Sequence, residues 1–192
     1  MIAPEPLSPN FPAVAQALAK ELDEAGFSAD GIAAHLGPEA TEALYRREPG
    51  VVLAACSDDA RLSRLIRFFV LRRPATAEAL GEMLTPKLAL SLIDDHLVLP
   101  VPDSSTYRIA VEVRPHVVAG TPRLVLSDLD ASMTEHVPGR DHVLGVGSAS
   151  LSLLSATPCT PVDSVLDLGT GSGVQALAQA DNATHVVSLI HI

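Results

Sequence analysis

The chain has 192 residues, a formal net charge of −10 from 23 acidic against 13 basic side chains, and 47% hydrophobic residues with no Trp. Such a chain holds enough apolar side chains to offset the entropy of folding, so it is a globular protein with an aliphatic core, and its acidity argues against a general phosphate-backbone binder. No apolar stretch approaches the roughly 18 residues of a membrane span, and residues 1 to 12 lack the basic and apolar regions of an export signal. Cys56 and Cys159 stand far apart with no CxxC and no Cys/His cluster, so no zinc site or disulfide framework is signalled. A cytoplasmic protein with reduced thiols, no membrane partner and no metal is the expectation.

Asn10 is placed to cap a helix with Pro12 in its first turn, and Val14, Leu18 and Leu22 recur at four-residue spacing until Gly26, predicting a helix over 11–25. Ser28 opens a short helix ending near Gly37, and Pro38 opens another to about Arg47, before a break at Pro49-Gly50. Between Asp58 and Arg73, Leu62, Leu65, Ile66, Phe69 and Val70 make one buried helical stripe. Pro74 breaks it; Thr76 caps a helix to about Leu84, and Thr85-Pro86 restarts one to about Asp94. LVLPV (97–101) and YRIAVEV (107–113) read as strands joined by the turn PDSS (102–105).

Helices followed by a two-stranded ribbon are the order of a winged helix, a variant of the helix-turn-helix. Arg61, Arg64 and Arg67 repeat every three residues beside the apolar stripe, with Arg72 and Arg73 following. They read as a solvated helix face rather than a nucleic-acid surface, because the supposed recognition helix 76–94 carries only Lys87 as a base. After Pro115 glycines and prolines punctuate shorter apolar pieces, so we expect two domains: residues 1–116, helical and winged-helix-like, and residues 120–192. In the second, 123–130 reads as a strand, 142–156 as a glycine-rich turn leading into a small-residue helix, 164–168 as a strand, and 184–192 as another.

The chemistry lies in VLDLGTGSGVQALAQA, residues 165–180. An apolar strand interrupted by Asp167 near its end leads into Gly169, Gly171 and Gly173, and a good helix former follows. Strand, glycine loop and helix form the first half of a βαβ unit, where ligands dock at the carboxyl ends of parallel strands. The glycines let the backbone approach a ligand without Cβ clashes. A dinucleotide fingerprint needs its third glycine three positions after the second, and here it follows by two; a P-loop needs Lys, and there is none. A carboxylate at Asp167 suits a cationic ligand and would repel a pyrophosphate.

The string D-x-G-x-G-x-G resembles the first motif of class I S-adenosylmethionine-dependent methyltransferases, and LDLGTGSGVQAL is similar to the subgroup holding release-factor glutamine methyltransferases and small-domain RNA guanine methyltransferases. More loosely, the helical, winged N-terminal part followed by HVLGVGSASLSLL resembles a group of actinobacterial methyltransferase-like proteins. The resemblance implies an α/β fold whose second domain is Rossmann-like, S-adenosylmethionine as cofactor, and a site of Asp167, Gly169, Thr170, Gly171, Ser172 and Gly173. It further implies methyl transfer to nitrogen of a protein or RNA acceptor, with no DNA expected. Gly145 and Gly147 lie near the cofactor on that likeness, or form an ordinary turn before a helix.

The same resemblance leads one to expect a ribose-holding acid about 20 residues after the glycine loop, yet Ser188-Leu189-Ile190 stands there. The subgroup's Asn-Pro-Pro-Tyr is lacking, and 19 residues follow Gly173 where a βαβ unit takes roughly 30 or more. The expectation is therefore the opening of a methyltransferase domain that is inactive as this chain, with weak cofactor affinity at best and no assignable catalytic residue. The alternative is a winged-helix protein-interaction module without catalysis; a nicotinamide oxidoreductase ranks below both. Of the remaining groups, the seven histidines show no metal spacing, Asp128 and Asp130 read as strand-end turn chemistry, Asp94 and Asp95 as solvated, and no Ser/His/Asp arrangement stands out.

Overall fold

The computed structural model describes residues 8–129 and 142–190. Helices and strands are mixed, and the chain divides into two compact units, Met1–Ala110 and Val111–Ile192. Among the described residues no helix is long and apolar enough to cross a membrane.

Unit 1 begins with α1 (Phe11–Glu24), whose Val14, Leu18 and Leu22 are buried at the expected spacing. Asn10 occupies the N-cap position without a side-chain cap bond; its backbone carbonyl starts the helix, accepting from Ala13 and Val14. Helix α2 (Ala29–Tyr45) joins the two short helices expected from 28–37 and 38–47, with a bend at Gly37 (φ 75°, ψ 171°) ahead of Pro38. Ser28 caps it, accepting from the Gly31 N–H at 3.0 Å. Helix α3 (Pro49–Ala55) was not anticipated: Pro49-Gly50 breaks the chain, but Pro49 also supplies a preset φ at the first turn of the next helix.

The stripe expected as one helix over 58–73 is shorter and of two kinds: α4 (Arg61–Leu65) runs into a π-helical turn, Ile66–Val70. In a regular helix three successive residues face different directions. The widened turn, closed by Leu71 N–H on the Ile66 carbonyl at 3.0 Å, lets Phe68, Phe69 and Val70 all be buried. Phe69 meets Phe27 and Phe68 edge-on at 5.8 and 5.1 Å, which concentrates the chain's few aromatic rings in one core. The short β1 (Ala75–Thr76) precedes α5 (Ala77–Met83) and α6 (Pro86–Asp94), whose N-caps Thr76 and Thr85 accept from Ala79 and Leu88 N–H groups at 3.2 Å. Strands β2 (Val98–Pro100) and β3 (Thr106–Ile109) complete an antiparallel sheet of order β1-β3-β2.

The strand expected over 107–113 is interrupted at Ala110, whose N–H bonds to the Leu97 carbonyl. Unit 2 therefore opens with a hairpin that the sequence reading missed, β4 (Val111–Val118) against β5 (Thr121–Asp128). Pro115 sits inside β4, opposite Leu124, instead of marking a boundary. The two-residue loop Ala119-Gly120, with φ values of 48° and 82°, has the doubly left-handed form whose twist suits a tight hairpin. After α7 (Ser148–Ala156), β6 (Val162–Leu168), α8 (Val174–Gln179) and β7 (Ala183–Leu189) form one parallel crossover. Its core is small: Val118, Val174 and Ala178, with Val146, Leu154 and Leu177 against them.

Candidate functional site

The glycine loop takes its shape from three left-handed residues, Gly169, Gly171 and Gly173, at φ 71°, 52° and 77°. Nothing lies within 4 Å of where a Cβ would stand at Gly169 or Gly171, so backbone conformation, not crowding, selects glycine there. The Gly169 and Thr170 N–H groups donate to the Leu189 carbonyl at 2.7 and 3.0 Å, stapling the loop to the end of β7. Gly173 holds the N-cap of α8 and has no side chain to cap with. Asp167 takes over that task from the strand: its Oδ2 accepts from Thr170 Oγ1 at 2.8 Å and from the Ala176 N–H at 3.1 Å. Loop and helix are thus tied to the strand by the residue that the sequence assigned to a cationic ligand.

A cleft of about 480 Å³ opens above this loop. Asp167, Gly169, Thr170, Gly171 and Ser172 line it, while Gly173 does not. The opposite wall is built by His142, Leu144, Gly145 and, from α7, Ala149, Ser150 and Leu153. This wall is fastened to the end of β5: Asp128 N–H donates to the Val143 carbonyl at 3.0 Å, the Val143 N–H donates to Asp128 Oδ2 at 2.8 Å, and His142 Nδ1 lies 3.7 Å from the same oxygen. Asp128 does the strand-end work expected of it; Asp130 lies outside the described residues. At Gly145 the reason for glycine is space, since a Cβ would stand 3.0 Å from Glu112 Oε2 and 3.2 Å from Ser127 Oγ. Gly147 is the N-cap of α7.

Gln175, which lines the cleft, and Gln179, which does not, both escaped sequence reasoning. Gln175 Nε2 donates to the Ser150 carbonyl at 2.9 Å, and one turn later Gln179 Nε2 donates to the Pro158 carbonyl at 3.2 Å. Both glutamines face α7 and its exit, and no α7 residue is buried, so amide hydrogen bonds hold α7 to α8 together with Leu154 packing. The signal was present as Gln at i and i+4 on a helix with an otherwise apolar lining, a pattern that places two amides on one face.

Arg61 and Arg67 form internal tethers, which corrects their reading as part of a solvated face, while Arg64 makes an exposed pair. Arg61 Nε donates to the Met83 carbonyl at 2.7 Å and its guanidinium also pairs with Glu21. Arg64 Nη1 meets Glu82 at 2.9 Å, and Arg67 donates to the carbonyls of Cys56 and Asp58. Asp95, expected to be solvated, is buried at the end of α6, while Asp94 is exposed.

A Ser, a His and an Asp do come together in unit 1. His35 Nε2 lies 2.6 Å from Ser63 Oγ, and the Ser63 hydroxyl, which bonds to Asp58, holds that carboxyl below its usual range. Ser63 is completely buried, however, and the carboxylate engages the hydroxyl instead of orienting the imidazole, so the order of a nucleophilic triad is absent. Cys56 belongs to the same cluster, and burial pushes its thiol up, away from a reactive thiolate. Among the described residues no group of His, Cys, Asp and Glu is arranged to hold a metal ion.

Residues 24–109 match the model of a family described only as a domain of unknown function, DUF7059. The match runs from the end of α1 to the end of β3, within unit 1, and leaves the glycine loop outside it. No curated protein matches the chain.

Proposed function

We propose that unit 2 carries an S-adenosylmethionine cleft of the class I methyltransferase type, and that unit 1 is a winged-helix-like module that meets a protein partner. The observation that carries the first part is the loop itself: three left-handed glycines between a parallel strand and a helix, with a carboxylate at the strand end and a cleft directly above. The residues fit the cofactor. Gly169 and Gly171 offer backbone without side chains to the cleft, Asp167 offers a negative charge, and Gln175 Oε1 is a buried acceptor with no partner among the described residues. When bound, S-adenosylmethionine supplies an electrophilic methyl group on a sulfonium. The chain's own residues would bind and orient it: the loop carries no base to repel a sulfonium, and Asp167 beside it favours positive charge.

Affinity is expected to be low. Ser188, Leu189 and Ile190 bring no carboxylate to the end of β7 for ribose hydroxyls, and the apolar residues on one face of the strand pair are uncovered. Ligand-observed NMR on the whole chain is the test. Saturable binding of S-adenosylmethionine, absent in Gly171→Val and not matched by NAD, supports the reading. Preference for NAD, or no saturable binding, overturns it; turnover of a methyl acceptor would overturn the expectation of inactivity.

For unit 1, the order of helices and strands with sheet order β1-β3-β2 supports the winged-helix reading. The tethered arginines, and an exposed α6 face whose one base is Lys87, favour a protein over a nucleic acid as partner. Retention of partner binding by unit 1 in which Lys87 is replaced by Ala, with no measurable RNA affinity, is the expected outcome.

A further inference from the structure

We infer that Gln175 is a ligand-reading residue of the cleft, its amide nitrogen fixing α7 and its amide oxygen accepting a hydrogen bond from the ammonium end of the bound ligand; this rests on the cofactor reading above. The orientation of the amide is settled by chemistry: the Ser150 carbonyl at 2.9 Å can only accept, so the group facing it is the NH2. The oxygen is then directed elsewhere. It is buried, and among the described residues it has no hydrogen-bond partner. A buried amide oxygen left without a donor costs about 1–3 kcal/mol, so such an arrangement persists where a donor arrives from outside the chain.

The cleft is where that donor would come from. Gln175 and Ser150 both line it. The next residue in the helix, Ala176, gives its N–H to Asp167, which lines the same cleft as Gln175. A cleft that offers one acidic and one neutral acceptor matches an N–H donor that carries positive charge better than a neutral one. Within S-adenosylmethionine that is the α-ammonium group, which 5′-methylthioadenosine lacks.

The experiment is an NMR titration of wild type, Gln175→Met and Gln175→Glu with S-adenosylmethionine and with 5′-methylthioadenosine, after melts establish that each variant is folded. Methionine keeps the shape and removes both polar ends. Gln175→Met is expected to weaken S-adenosylmethionine binding by about 10-fold or more, the worth of a hydrogen bond to a charged group, while 5′-methylthioadenosine changes by less than about twofold. Gln175→Glu keeps an acceptor and gives up the donor to Ser150, so it should retain the preference for the ammonium-bearing ligand. Equal weakening of both ligands, or of neither, overturns the inference by showing that Gln175 only holds α7 or does nothing. Wild type binding 5′-methylthioadenosine as tightly as S-adenosylmethionine also overturns it while leaving the cleft intact. Wild type binding neither removes the cofactor reading itself.

Discussion

Arg61 offers the sharpest test of whether the basic residues of unit 1 serve the fold or a partner. It stands at the first position of α4 and reaches two other helices, Glu21 in α1 and the Met83 carbonyl in α5. Met83 is the last residue of α5, so its carbonyl is one of those a helix end leaves without an internal partner, and a cation there also meets the negative end of the helix dipole. Arg61→Met keeps much of the stem and removes the guanidinium. Loss of a charge-assisted bond to the carbonyl is worth about 1.5 kcal/mol or more. The ion pair, whose side chains are 33% and 18% exposed, adds less than about 1 kcal/mol once solvent screening is allowed for. A total near 2 kcal/mol follows, or a fall in melting temperature of roughly 8–16 °C for a unit of this size. The comparison is Arg64→Met, whose partner Glu82 is 58% exposed and whose loss should cost under about 1 kcal/mol. Thermal and urea melts by circular dichroism decide the matter. If Arg61→Met shifts stability by less than about 0.5 kcal/mol, or no more than Arg64→Met, the tether argument is wrong.

Gly31→Ala should destabilise unit 1 by more than about 2 kcal/mol although alanine is the better helix former by about 1 kcal/mol, because the new Cβ would run into the Gly26 carbonyl; a more stable variant would refute this. His116 is held below its ordinary range, first by burial and then by Arg114, with Glu112 opposing and Arg123 across from it in the hairpin. A depressed imidazole contributes stability that is present above about pH 6.5 and is lost as pH falls through the folded value, so His116→Asn should flatten the acid-side decline of unit 2 in melts between pH 7 and 5. Hydrogen exchange should be faster in β6 and β7, where no residue is buried, than in the helices around Phe69; equal protection would contradict the reading. Leu166→Thr, at a site 58% exposed, should cost under about 0.5 kcal/mol, while Val174→Ala in the small core should cost about 1 kcal/mol or more in urea melts.

Most of what was legible in the sequence was local. Ser28, Thr76 and Thr85 cap the helices they precede because a cap is decided within three residues. The spacing of Val14, Leu18 and Leu22 places one face of α1 inside for the same reason. The glycine loop was legible as well, since left-handed positions favour glycine whatever surrounds them. What escaped was set by partners distant in the chain. Residues 107–113 have the composition of one continuous strand, and only the pairing of 111–118 with 121–128 breaks it at Ala110. Arg61, Arg64 and Arg67 have the spacing of a solvated row; Met83 and Cys56, 22 and 11 residues away, turn Arg61 and Arg67 inward, while Arg64 pairs with the exposed Glu82, 18 residues away. The π-helical turn answers the need to bury Phe68, Phe69 and Val70 together, a demand of the assembled core.

The same division between local and distant causes governs the cleft. Its floor is held by bonds internal to β6, α8 and β7: Asp167 to Thr170 and Ala176, and Gly169 and Thr170 to Leu189. None of these depends on what covers the parallel pair, and on one face of that pair Leu166 and Leu168 lie opposite Val187 and Leu189, all about half exposed. Parallel strands are ordinarily buried on both faces. The loop can therefore keep its shape while its supporting strands stay weakly held, so on the proposed cofactor reading the affinity lost to a poorly buried sheet would be separate from the specificity set by the loop. A variant that stabilises the sheet without touching 167–175 would then raise ligand affinity by favouring the binding-competent form, leaving the choice between ligands unchanged.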